Sequence, residues 1–467
     1  MSGNIYRISL MSWAFYYHRM TAKRFHSKRR DIMRNRHLSI ILVFILWAGL
    51  TFASQGSEVV ETFDVNGLQV IVKPNSANEI VSAQLYIKGG SLNLSESTQG
   101  IEPLIFESAL KGSQHYSKEV INTLLDKTAA QIVSNSNRDY TAVGMRCLNR
   151  FFDQIWDLFV DVILNPAFEE KEVELVREQL LVGIRQRQDD PDSYLNELSD
   201  DLFFRGHLYR FDPQGIEESM AAISIEQMRD HLKSNLQTSR LLLVVVGDVG
   251  PDQIKRKVEE TFGRLPRGDY QSVLPDPIMH EAPALELVQR DLPTNYIQGY
   301  FSAPGLSDPD FYPMRMAMNI LAWRVFEEVR TKRNLSYAPS AFFSNEFANR
   351  AGIYVTTVYP DTTVKVMLAE LKKMQEEPVS AKDLNDRIAM YLTQYYLNNE
   401  TNAAQAQFLA RFELSGLGWE AGEGFVENLR NVTAEDVQRV ANRYFRNIQF
   451  VYLGDLDLID EDVYTSM

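Results

Sequence analysis

Seven histidines and one cysteine bound the metal and nucleophile chemistry open to this chain of 467 residues. The histidines are His18, His26, His37, His115, His207, His231 and His280, and no two of them stand four residues apart. A catalytic zinc held by a helix needs two imidazoles on one face and a third protein ligand, with one position left open. That spacing is missing. Cys147 stands alone, so neither an intrachain disulfide nor a cysteine zinc cluster can form from it. It lies in an apolar strand-to-helix context, where a thiol stays protonated and inert. Serine, histidine and aspartate all occur, but triads are recognised by geometry, and no Gly-x-Ser-x-Gly elbow is present.

The elements that would position any site alternate short strands with longer helices. Leu68–Lys73 and Ser82–Lys88 read as strands. Leu148, Phe151, Phe152, Ile155, Trp156, Phe159, Val162 and Ile163 fall on one helical stripe, ended by Asn165-Pro166. Lys171–Arg187 reads as a second long helix, closed by Asp189-Asp190-Pro191. Leu241–Val246 (LLLVVV) reads as a buried strand with Gly247-Asp248 as its exit turn.

An internal repeat organises the rest. Ser224-Ile-Glu-Gln-Met-Arg-Asp-His-Leu leads through a helix to Val245-Val246-Gly247-Asp248. Thr433-Ala-Glu-Asp-Val-Gln-Arg-Val leads likewise to Tyr452-Leu453-Gly454-Asp455. Ser224 and Thr433 each offer a side-chain oxygen to the free N–H groups at a helix start. A period of about two hundred residues means tandem similar domains rather than a solenoid. Between the copies, Leu265-Pro266-Arg267-Gly268-Asp269 through Pro275, Pro277 and Pro283 reads as a linker. The second copy is expected to open with strands near Leu285–Gln289 and Tyr296–Ser302. Helices follow around Tyr312–Thr331, Thr363–Gln375, Ala381–Asn398 and Ala403–Leu414.

The N-terminus is read separately. Arg34, Arg36 and His37 precede the apolar run Leu38–Leu50, and Thr51-Phe52-Ala53 follows it. That is the pattern of a secretory signal cleaved after Ala53. A membrane anchor is the alternative, but a spanning helix needs about 20 apolar residues. Met33 directly precedes the pattern and is an alternative start. Residues 1–53 contribute a net +8 against −14 for the whole chain, leaving −22 for the remainder. An acidic mature chain argues against nucleic-acid binding, which needs a basic footprint. The expected location is the bacterial periplasm or the extracellular medium, with no stable membrane span after cleavage.

Several strings resemble the pitrilysin/insulinase family of inverted-motif zinc peptidases. Gly90-Ser91-Leu92-Asn93, followed by Gly100-Ile-Glu-Pro-Leu-Ile-Phe-Glu-Ser-Ala-Leu-Lys-Gly-Ser113, is similar to the segment that carries the family's His-x-x-Glu-His helix. Gly206-His207-Leu208-Tyr209 with Gly215-Ile-Glu-Glu-Ser219 resembles another stretch of its first domain. Val329-Arg330-Thr-Lys-Arg-Asn-Leu-Ser-Tyr337 resembles its second-domain signature. The likeness spans residues 59–460. It implies an α+β fold of two tandem homologous α/β-roll domains, each a sheet packed by helices and each resembling half of the family's clamshell. The expected segments are an extension with signal peptide (1–53), a first peptidase-like domain (59–264), a linker (265–284) and a second peptidase-like domain (285–460).

Laid on that pattern, Pro103 takes the first histidine position and Phe106 that of the catalytic glutamate. Glu107 takes the second histidine position, and Gly183 that of the distal carboxylate. Pro, Phe and Gly offer no side-chain ligand, so the resemblance implies a chain that binds no metal of its own. Glu107 and His115 as a makeshift metal pair fall short of the three ligands a catalytic zinc needs. The other family element is kept. Arg330 and Tyr337 match the Arg and Tyr that the second domain aims at a substrate, where guanidinium and phenol donate to a carbonyl and its oxyanion. The alternatives are an ion pair of Arg330 with Glu327 or Glu328, and a sheet position for Tyr337. The expectation is an exported, zinc-free subunit, inactive alone, whose partner bears the intact His-x-x-Glu-His motif and the zinc. The substrates would be peptides. A peptide-binding or scaffold protein of the same fold, without catalysis, is the second reading.

Overall fold

Leu241–Gly247 is buried at every residue, and the reason lies in what covers each face of its sheet. The computed structural model describes residues 59–467, which build two mixed sheets. The first contains β1 (Glu61–Val65), β2 (Leu68–Pro74), β3 (Ile80–Lys88), β4 (Gln131–Ser136), β5 (Tyr140–Leu148) and β6 (Leu241–Gly247), in the order β1-β2-β6-β3-β5-β4. The second contains β7 (Ala284–Gln289), β8 (Asn295–Ser302), β9 (Ser340–Phe343), β10 (Arg350–Thr357) and β11 (Gln449–Gly454), in the order β7-β11-β8-β10-β9. In each sheet the last strand runs parallel to one neighbour (β6 to β2, β11 to β7) and antiparallel to the other (β6 to β3, β11 to β8). Apart from β1 the two connection orders coincide, so the sequence repeat is a repeat of topology. β1 is added through Asn66-Gly67, both at positive φ, the residue pair a two-residue hairpin turn demands.

The helices that matter for function are α1 (Ile101–Ala109), α2 (Phe152–Leu164), α3 (Glu170–Asp189), α4 (Pro191–Phe203), α5 (Ile225–Asn235), α6 (Phe311–Val325), α7 (Ala381–Asn398), α8 (Asn402–Leu414) and α9 (Ala434–Tyr444). Both repeat helices start in full capping boxes, Ser224 with Gln227 at α5 and Thr433 with Asp436 at α9. On one face of the first sheet, Leu241, Leu243 and Val245 join a core with Phe152, Trp156 and Phe159 of α2. On the other face, Leu242, Val244 and Val246 meet Ala406, Leu409, Ala410 and Leu414 of α8, a helix of the second half. The exchange is mutual. Leu195 and Leu202 of α4, a helix of the first half, pack on Val451 and Leu453 of β11. A strand covered on both faces carries a continuous apolar run instead of an alternating one.

Some details depart from the sequence reading. Leu148 ends β5, and the helix of that stripe starts at Phe152. Tyr337 lies outside the sheet, three residues before β9. The stretch Leu265–Pro283 contains neither helix nor strand. The proposed signal and the alternative start fall outside the described residues. Among the described residues no helix is long and apolar enough to cross a membrane.

Candidate functional site

α1 starts at Gly100, whose positive φ suits its left-handed backbone. A side chain there would collide with Met220 and with the backbone of Gly215, so Gly100 and Gly215 are matched glycines at one close approach. Ser219 seals the contact by donating its hydroxyl to the Gln99 carbonyl at 2.8 Å. Pro103 sits in the first turn, where its missing N–H has no intrahelical partner to lose. It is buried, and Phe106 is part of the first core. Glu107 is half-buried, and burial raises its carboxyl above the usual range, with Lys111 opposing. α1 packs against α3, which carries Gly183 on an exposed face with open space around it. The four positions therefore lie on two packed helices, but the donors there do not fit a zinc ion. Glu107 is the only one with a ligating side chain.

The nearby acid–base pairs are satisfied in other ways. Glu102, one residue before Pro103, is buried, accepts a hydrogen bond from the Thr141 hydroxyl and pairs with His231 Nε2 at 3.1 Å. His115 does not meet Glu107. Its Nδ1 lies 2.7 Å from Asp161 Oδ1, while Ser113 donates to Asp161 Oδ2 at 2.6 Å. The carboxylate stands between serine and histidine, so the imidazole cannot take the serine proton as it does in a triad. Burial pushes Asp161 up, but hydrogen bonds from Ser113, His115 and Asn165 outweigh it and hold the carboxyl below its ordinary value. Cys147 is buried, and burial pushes its thiol up to about 11. Among the described residues no three His, Cys, Asp or Glu side chains gather in a group that could hold a metal ion.

Arg330 and Tyr337 meet each other. After Val325 the helix α6 widens into a π-helical turn, Phe326–Thr331, a distortion that often marks functional positions. The turn is closed by Lys332 N–H to Glu327 O at 2.9 Å, and Asn334 reverses the chain at positive φ. The Arg330 guanidinium lies over the Tyr337 ring, 3.9 Å from its centre, and 5.0 Å from that of Phe326. Tyr337 is 78% exposed. Glu328 is taken by Lys332 and Arg333. Among the described residues no carboxylate lies within 4.0 Å of the Arg330 guanidinium. The ion-pair alternative for Arg330 thus fails, as does the sheet alternative for Tyr337. The pair lines an open depression of about 650 Å³ with Thr294, Asn334, Thr356 and Val358. All its walls come from the second half, so within one chain the Arg/Tyr pair and the four α1 and α3 positions do not share a cavity.

One feature of the first sheet is relevant to peptides. Among the described residues β4 pairs with β5 alone, leaving its outer edge unpaired, and α1 packs beside it. Sequence reasoning missed β4, as it missed the polar network between the halves. There Asp200 takes Arg138 and Arg350, each at 2.9 Å, and both arginines reach Glu346. Tyr209 donates to Asp139, which also accepts from Phe347 N–H at 3.1 Å. Arg138-Asp139 and Glu346-Phe347 sit in two loops some two hundred residues apart. The charged residues offered a signal, but nothing in the order of the chain paired them.

The described geometry matches known proteins over nearly its whole length. Residues 69–210 match the family model described as insulinase (peptidase family M16), and residues 222–391 match the peptidase M16 inactive domain. An uncharacterized zinc protease of Rickettsia felis is 22% identical over 399 residues, covering 82% of this chain and 94% of that protein. The uncharacterized zinc protease YmxG of Bacillus subtilis is 21% identical, covering 81% and 94%. In three dimensions the chain resembles a peptidase M16 inactive domain from Pseudomonas fluorescens (TM-score 0.78, 17% identity, 85% of this chain and 98% of that one). It also resembles a protease from Helicobacter pylori (TM-score 0.76, 16% identity, 85% and 99%). With both domain models matched in order, the chain belongs to the insulinase peptidase family, M16.

Proposed function

We propose that this chain is the zinc-free half of an exported two-chain metallopeptidase. It lends Arg330 and Tyr337 to a peptide held at zinc on a partner that bears the intact His-x-x-Glu-His motif. The observation that carries the reading is the stack of half-buried Arg330 on exposed Tyr337, with no carboxylate among the described residues within ion-pair distance of the guanidinium. A half-buried charged fork at an open depression, without a carboxylate partner, is free to donate to a substrate carbonyl and to the oxyanion that forms on it. Pro103, Phe106 and Gly183 supply no ligand, so the metal belongs on the other chain. One relative is named as a subunit, a probable mitochondrial-processing peptidase subunit beta of Arabidopsis thaliana, 21% identical over 260 residues, of which this chain covers 49%. Export to the periplasm or medium is part of the proposal, carried by the apolar run Leu38–Leu50 and its flanks.

The test is co-expression with a family member that keeps the zinc motif, followed by peptide cleavage assays. Cleavage should need both chains and fall with Arg330→Ala or Tyr337→Phe. Unchanged turnover in both variants would sink the proposed role. The second reading, a peptide-binding scaffold without catalysis, draws on the free edge of β4, where an extended peptide can add as a strand. Peptide binding by the chain alone, with no gain in any partner's activity, would favour it.

A further inference from the structure

Buried Arg315 and half-buried Arg411 sit next to each other at the junction of the halves, neither with a carboxylate in ion-pair contact among the described residues. Arg315 of α6 and Arg411 of α8 stack on the same ring, their guanidinium carbons 4.7 Å and 5.3 Å from the centre of Phe311. Among the described residues neither has a carboxylate within 4.0 Å. Arg315 donates to the Tyr391 hydroxyl at 3.2 Å and to Asn345 Oδ1 at 2.6 Å, but its Nε is buried without an acceptor. Nη2 of Arg411 is likewise buried and unpaired. Burial, with the like charge of Arg315, pushes the Arg411 guanidinium down to about 10, so it remains charged at neutral pH. Burying an unpaired charge is costly, and a second like charge partly buried beside it adds to the cost.

Both arginines line a cavity of about 320 Å³, within the range of small-ligand sites. Its mouth is framed by the exposed Gln394 and Asn398 of α7. Its walls include Phe408, Phe425 and Tyr395, and Asp139 contributes the one carboxylate on its lining. Burial pushes Asp139 up to about 7, so it is a weak counter-ion for two guanidiniums.

We propose that this cavity binds a carboxylate carried on an apolar body, with Arg315 and Arg411 as its anchors. Guanidinium forks match the planar carboxylate, and the aromatic wall covers what the carboxylate is attached to. A phosphate would ask for more donors and would gain nothing from the three rings. The C-terminal residue of a peptide and a free aryl or alkyl carboxylic acid share this chemistry. The site is separate from the Arg330 depression and does not depend on a zinc-bearing partner.

The full chain is titrated by calorimetry with four probes. These are an N-acetylated Ala-Ala-Phe peptide, its C-terminal amide, 3-phenylpropionate and inorganic phosphate. The acid peptide, phenylpropionate or both should bind at one site per chain, and the amide at least tenfold more weakly than the acid. Binding of the peptide alone assigns the site to a chain terminus, and binding of phenylpropionate alone assigns it to a free acid. Arg411→Gln should weaken binding at least tenfold while the chain still unfolds cooperatively. If that variant does not fold, Arg411→Lys, which keeps the charge but loses the planar fork, should show the same loss. The proposal is overturned if neither acid binds, if amide and acid bind alike, if phosphate binds more tightly than either acid, or if the folded variant binds as the parent does.

Discussion

The guanidinium of Arg330 rests 3.9 Å from the ring centre of an exposed Tyr337, held there by a π-helical turn and a left-handed Asn334. A cation lying on a phenol face is attracted to it, by about 0.5–1 kcal/mol at an accessible site, and this orders both side chains. If the pair serves an oxyanion in trans, Arg330→Ala should lower kcat/KM of the two-chain complex by about a hundredfold, as loss of an oxyanion donor does. Tyr337→Phe keeps the stack and loses only the hydroxyl, so its loss should be smaller. Steady-state peptide cleavage at matched complex concentration measures both. An unaltered stability of the free chain would show that the loss is one of chemistry.

Asp139 predicts a pH dependence. Its carboxyl is raised to about 7 by burial, whereas an unfolded aspartate ionises near about 3.9. Between these values the folded chain holds a proton that the unfolded chain has released. Stability from this group therefore falls as pH rises from about 4 to about 7, by at most about 1.4 kcal/mol per unit, and falls no further above that. Asp139→Asn keeps an acceptor for Tyr209 and for Phe347 N–H while removing the titration. Denaturant unfolding at pH 5.5 and pH 8 should show a larger drop for the parent than for the variant. Equal drops would contradict the assignment.

Asp200 should be the costliest carboxylate to remove. It bridges Arg138 and Arg350 where the halves meet, with each arginine side chain no more than 15% exposed. Asp200→Ala leaves two guanidiniums largely buried with Glu346 as their remaining carboxylate contact. A loss of about 3–5 kcal/mol is expected from breaking such a buried pair. Equilibrium unfolding in urea measures it, and a change below about 1 kcal/mol would show that water repairs the site.

Gly183 offers the opposite outcome. It lies inside α3 and a side chain there would meet nothing within 4 Å. Gly183→Ala should stabilise the chain by about 1 kcal/mol, the helix-propensity difference between the two residues. A destabilised variant in the same urea assay would contradict the open space around Gly183.

Much of this was written locally. The hydrophobic periods of α2, α7 and α8, the caps at Ser224 and Thr433, and the buried run of β6 depend on neighbours a few residues away. Order and repetition were enough for the two-domain fold. Other features needed the folded chain. Helix α4 follows α3 after the single extended residue Asp190, which caps it, and nothing local says that it covers the second sheet while α8 covers the first. Arg315 and Arg411 lie almost a hundred residues apart, and only the packing of α6 and α8 sets them on one ring. Periodicity and capping are short-range and can be read along the chain. The exchange of helices between sheets, and the pairing or isolation of buried charges, depend on which distant surfaces meet, and only the tertiary structure decides that.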